Sequence, residues 1–130
     1  TFNMNGAPKE TENLITSKNI KQRQFVGKNV CHTILFDKTR LNSFARPNSR
    51  AGELFLEAAR MYFGKHQEKK FHDPLASFLH LFPEHGTWLK GKPYRERGQW
   101  GTSLCEDGDN VLVDVNREAF WEHLTNWEWI

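Results

Sequence analysis

Phe71-His72-Asp73-Pro74-Leu75-Ala76 is the most informative stretch of the chain. Local rules read it as the start of a helix. An Asp side chain can take free backbone N–H groups there, and Pro fits the first helical turn because it has no N–H to leave unbonded. Leu75, Phe78, Leu79 and Phe82 follow at spacings of three and four, which predicts a short helix with one apolar face. The same junction can also do chemistry. A loop that runs into a helix presents His72 and Asp73 to a cleft; a carboxylate there can hold a hard cation, and an imidazole can exchange a proton near neutral pH. From local rules, helix cap and functional site both remain open.

Upstream, Asn48 or Ser49 is placed to cap a longer helix whose Ala51, Leu54, Phe55, Ala58, Ala59 and Tyr62 fall on one face, with Gly64 ending the pattern. Another helix is expected from about Asp37 to Ala45, stopped by Pro47, and Gln24 to Val30 reads as a strand. Pro8, with Glu10 and Glu12 behind it, starts a helix that ends near Ser17. Downstream, Gly91, Pro93, Gly98 and Gly101 suit twisted strands and turns between Thr87 and Leu104. The acidic run Glu106 to Asn110 reads as a turn and Val111 to Val113 as a brief strand. Asn116 then caps a last helix with Ala119, Phe120, His123, Leu124 and Trp127 inward. Helices alternating with short strands give an α/β layered class. The strands are few and short for a self-sufficient sheet, which suits a piece of a larger α/β protein.

A chain of 130 residues suits one domain rather than two. Its net charge of +2 is too weak to imply a nucleic-acid or membrane partner, and the basic runs Lys65 to Lys70 and Lys90 to Arg97 read as solvated surface. Cys31 and Cys105 are too few for a disulfide framework or a zinc site, so reduced thiols and a cytoplasmic location are expected. No stretch approaches the ~20 apolar residues of a membrane helix. The opening on Thr1, in a polar segment with no initiator Met, suits a fragment or a processed chain. Cys31-His32 invites a nucleophile reading, but neighbours on a strand point to opposite faces, so His32 reads as a structural or supporting residue. His66, His80, His85 and His123 show no metal-ligand spacing. Trp121, Trp127 and Trp129 read as core or interface, and the apolar ending Trp127-Glu128-Trp129-Ile130 as a segment that docks on another part of the protein or on another subunit.

His72-Asp73-Pro74-Leu75-Ala76, entering a helix after a long amphipathic one, resembles the C-terminal motif of nucleoside hydrolases. Three further segments fall in the expected order. Thr1-Phe2-Asn3 resembles that family's Glu-Phe-Asn segment. Phe25-Val26-Gly27-Lys28-Asn29-Val30-Cys31-His32 resembles its strand ending in Val-Thr-His. Gly98-Gln99-Trp100-Gly101, then Asn110 to Asn116 and a terminal helix, resembles its closing segment. The resemblance spans almost the whole chain. It implies that residues 1–130 form a single segment, the C-terminal part of a nucleoside-hydrolase-like open sheet with helices packed on it, without the N-terminal half.

The implied activity is calcium-dependent cleavage of the N-glycosidic bond of ribonucleosides to ribose and free base. His72 would protonate the leaving base, Asp73 would be a calcium ligand, Asn3 would bond ribose hydroxyls, Phe2 would pack beside the sugar, and Tyr62 would approach the base. The implied partners are the ribonucleoside and either an N-terminal half or the other subunits of a homo-oligomer, with no nucleic acid and no membrane. These residue types suit the chemistry. Glycosidic cleavage passes through an oxocarbenium-like sugar, general acid catalysis contributes roughly 10²–10⁴-fold, and calcium takes about 6–8 oxygen ligands.

The sequence departs from the family at two places. The family's Asp-x-Asp-x-x-x-Asp-Asp cluster, which holds most of the calcium, has no counterpart here, so the chain alone is expected to be inactive. Thr1 stands where the family commonly has Glu, and a hydroxyl binds a ribose hydroxyl less strongly than a carboxylate does. The alternative is a non-catalytic homologue or fragment that acts as a protein-interaction module.

Overall fold

The computed structural model describes residues 2–44, 47 and 49–126, except for the side chains of Phe2 and Asn3. The chain divides into two compact units, one of residues 1–26 and 88–112, the other of residues 27–87 and 113–130.

The first unit holds helices α1 (Phe2–Gly6) and α2 (Pro8–Thr16) and a four-stranded sheet in the order β1-β6-β4-β5. Strand β1 (Gln24–Phe25) runs parallel to β6 (Asp109–Val115), with Gln24 opposite Asn110. Asn110 N–H donates to the Arg23 carbonyl at 3.3 Å, and the Arg23 guanidinium lies 3.7 Å from the Asp109 carboxylate, so charge and backbone together seat β1. Strands β4 (Gly86–Glu96) and β5 (Gln99–Leu104) form an antiparallel hairpin closed at Glu96 and Gln99. Its two central residues, Arg97 and Gly98, have φ of 48° and 78°. Positive φ at both positions gives a tight turn the right-handed twist that the flanking strands need. The acidic run expected as a turn is one only over residues 106–108, where Asp107 pairs with Lys92; Asp109 and Asn110 already belong to β6.

The strand expected from Gln24 to Val30 is shorter than predicted. Only Gln24 and Phe25 are extended; Lys28–Cys31 forms a short helix, α3. The Gly27 carbonyl accepts from Val30 N–H at 3.2 Å and Cys31 N–H at 3.0 Å, and this turn overrides the strand preference of Val26 and Val30.

The second unit holds α3, the ribbon of β2 (Leu35–Asp37) and β3 (Glu68–Lys70), α4 (Lys38–Asn42), α5 (Arg50–Phe63), α6 (His72–Leu81) and α7 (Arg117–Thr125). The ribbon is antiparallel, with Leu35 opposite Lys70. Its core is aromatic. Phe36, 2% exposed, meets the rings of Phe71 at 4.7 Å, Phe63 at 5.1 Å, Phe44 at 5.7 Å and Trp121 at 5.8 Å. Ile34, Leu75, Leu79 and Phe120 complete the fully buried set.

Three helices start on the side chains that favour such starts. Asp37 accepts from Arg40 N–H at 2.8 Å, Ser49 from Gly52 N–H at 3.2 Å, and Asn116 from Ala119 N–H at 3.1 Å. The apolar face of α5 differs from the expected one. Gly52, Leu56, Ala59 and Phe63 are buried, whereas Leu54 is 49% exposed. The helix carries two overlapping apolar stripes about one residue apart, and the bulk of Leu56 and Phe63 decides which one faces the aromatic core. In α7, Phe120 and Trp121 are the buried residues, which makes Trp121 core as expected. Trp127 and Trp129 lie outside the described residues.

Candidate functional site

The site is built on the start of α6. The helix begins at His72, two residues earlier than a cap at Asp73 requires, so Phe71 holds the cap position and makes no side-chain cap bond. The capping role expected of Asp73 is therefore not the one observed. Its carboxylate stands in the first turn, where the helix dipole favours a negative charge, and is 95% exposed. The His72 side chain is 45% exposed, and its Nε2 lies 3.8 Å from Asp73 Oδ1. That is too long for a hydrogen bond, but close enough for attraction when the imidazole carries a proton.

The fold brings the end of α3 to the same place. Phe71 N–H donates to the Ile34 carbonyl at 2.9 Å, and the β2–β3 register begins one residue further along each strand. His32, at the C-terminal end of α3, thereby comes beside His72, with ring centroids 5.7 Å apart and planes tilted by 46°. Loss of solvent lowers the pKa of His32 from its ordinary value, and the positive charges of Lys70 and Lys28 and the neighbouring His72 lower it further. Burial pushes the Cys31 thiol up, and the nearby Asp73 carboxylate adds to the shift. A thiol that is 7% exposed and held protonated is a poor nucleophile, in keeping with the expectation against a Cys31–His32 dyad. The physical reason differs from the expected one, because the two residues end a helix and do not alternate on a strand.

The other expected site residues stand as follows. The Tyr62 ring stacks on His66 at 4.3 Å, meets Phe63 edge-on at 5.4 Å and lies under the Lys69 ammonium at 5.3 Å. Phe2 and Asn3 belong to α1 in the other unit, with their side chains outside the described residues, as is all of Thr1. Among the described residues, no three of the His, Cys, Asp and Glu side chains are grouped to hold a metal ion. Asp73 alone offers at most two of the roughly 6–8 oxygens that calcium takes. The described residues therefore do not by themselves fit a calcium site.

Two features escaped the sequence reading. One is the approach of His32 to His72, because the strands that cause it are three residues each, too short for periodicity to reveal. The other is an open, largely apolar cavity of about 500 Å³ on α5, α6 and α7, lined among others by Phe55, Phe71, Pro74, Leu81 and Phe120, with Asp73 also on its wall. Phe55 and Phe120 read as the inner faces of their helices, and sequence alone does not separate a core face from a cavity wall.

No family model matches the chain. An uncharacterized protein of Aquifex aeolicus is 28% identical over 132 residues, covering 95% of this chain and 44% of that protein. A solved plant nucleoside hydrolase superposes with a TM-score of 0.76 at 19% identity, covering 95% of this chain and 45% of that one. The fold is nucleoside-hydrolase-like. This mixed α/β chain spans less than half the length of either protein it matches. Among the described residues, no helix of this nucleoside-hydrolase-like fold is long and apolar enough to cross a membrane.

Proposed function

We infer that the chain is the C-terminal part of a nucleoside hydrolase and that its parent protein cleaves ribonucleosides to ribose and free base. The observation that carries this reading is the His72-Asp73 pair at the open start of α6, in a fold that superposes on a nucleoside hydrolase. In this reading His72 donates its proton to a ring nitrogen of the base as the C1′–N bond breaks, so the base leaves neutral and not as an anion. The sugar passes through an oxocarbenium-like state and ends as ribose when water adds at C1′ and releases a proton, which balances the one His72 gave to the base. Asp73 would give one carboxylate to a calcium site completed by residues outside this chain. The roles of Asn3 and Phe2 at the ribose, and of Tyr62 toward the base, rest on the family resemblance alone.

A ribose-release assay on the parent protein tests the reading. The parent is expected to release ribose from common ribonucleosides. The isolated chain is expected to release none and to show no micromolar calcium affinity by calorimetric titration, since one carboxylate falls short of the ligand set. A parent protein that releases ribose from none of them sinks the enzymatic reading. It would leave the alternative of an interaction module, which the open apolar cavity on α5, α6 and α7 favours.

A further inference from the structure

We propose that His32 is a positioning residue for His72: its ring packs on the His72 imidazole and fixes the direction in which that imidazole presents its acidic nitrogen. The inference rests on the reading of His72 as the leaving-group acid. The centroid separation of 5.7 Å and the 46° tilt lie in the range of packed aromatic pairs. Asp73 cannot do this work. Its Oδ1 is 3.8 Å from His72 Nε2, beyond the reach of a directional hydrogen bond, and its carboxylate is 95% exposed. A half-exposed imidazole on the first residue of a helix would otherwise turn about its own side-chain bonds.

The platform under the imidazole is rigid. His32 N–H donates to the Lys28 carbonyl at 3.0 Å, and Thr33 N–H donates to the Val30 carbonyl at 2.9 Å. Cys31 and Ile34 on either side are buried, and Arg117 Nε donates to Thr33 Oγ1 at 3.1 Å. The bond from Phe71 N–H to the Ile34 carbonyl, 2.9 Å long, ties the residue before His72 to the second residue after His32. The backbone segments that carry the two rings are therefore tied together at the start of the β2–β3 ribbon. An acid held on such a mount points one way, and misplacing a reacting group by about 1 Å costs on the order of 10²-fold in rate.

The test uses the parent protein, a natural ribonucleoside and a nitrophenyl riboside whose good leaving group needs little protonation. His32→Ala is expected to lower kcat on the nucleoside by about 10-fold or more with KM nearly unchanged, and to leave the nitrophenyl riboside almost untouched. His32→Phe keeps a flat ring and is expected to restore most of the lost rate. Full kcat in His32→Ala, equal losses on both substrates, or a Phe variant as slow as Ala would each overturn the proposal. Should His32→Ala fail to fold, His32→Gln replaces it, with Gln expected slow and Phe near wild type; a Gln variant as fast as Phe overturns the proposal. Histidine-selective NMR of the same proteins separates this idea from the reaction itself. If the wild-type parent cleaves no nucleoside, the assigned reaction is wrong. Positioning still predicts that the His72 ring resonances move in His32→Ala and return in His32→Phe, and unmoved resonances would refute it.

Discussion

Gly108 shows how one residue can be fixed by a neighbour far away in sequence. A methyl group there would sit 2.4 Å from the backbone N, C and O of Gly91, atoms that cannot swing aside as a side-chain tip can. Gly108→Ala is therefore expected to destabilise the fold by about 1–3 kcal/mol, read as a lower urea midpoint. Gly6→Ala, where a methyl group meets nothing within 4 Å, should leave that midpoint unchanged or raise it slightly. The glycines were legible as marks of twisted strands and turns, but the contact between these two was not, because it joins residues that the chain brings together only on folding. The His72-Asp73 pair was legible for another reason. A charged and a titratable side chain at a helix start carry their chemistry wherever the helix begins, and only the cap role depended on the two-residue shift.

The β2–β3 ribbon was invisible in the sequence, although it sets the site. Strands of three residues are too short to show alternation, and Glu68-Lys69-Lys70 is charged throughout and exposed, as the solvated-surface reading expected. What holds the ribbon is Phe36, which is inserted among Phe44, Phe63, Phe71 and Trp121. Phe36→Ala is expected to lower stability by about 3–5 kcal/mol in denaturant unfolding, because the cavity it leaves borders several large rings that cannot all collapse into it. A loss below about 1 kcal/mol would show that the ribbon stands without its aromatic anchor. The capped helices were easier to read. Ser49 and Asn116 announce α5 and α7 through local hydrogen bonds, and only the buried phase of α5 needed the tertiary core to decide between its two stripes.

For the whole molecule, the α/β class followed from helices alternating with short strands, and the family-like segments in order anticipated the nucleoside-hydrolase-like fold seen by superposition. The pairing of residues 1–26 with 88–112 in one unit was not legible, since local pattern says nothing about which distant segments close on each other. His72→Ala in the parent protein, assayed on a natural ribonucleoside and on a nitrophenyl riboside, bears most directly on the claim that His72 is the acid for the leaving base. A leaving-group acid works in the transition state, so kcat on the nucleoside should fall by roughly 10²–10⁴-fold while KM changes little. The nitrophenyl riboside should be cut almost as fast as by the wild type. Equal slowing of both substrates would contradict the claim and make His72 a residue of structure or binding.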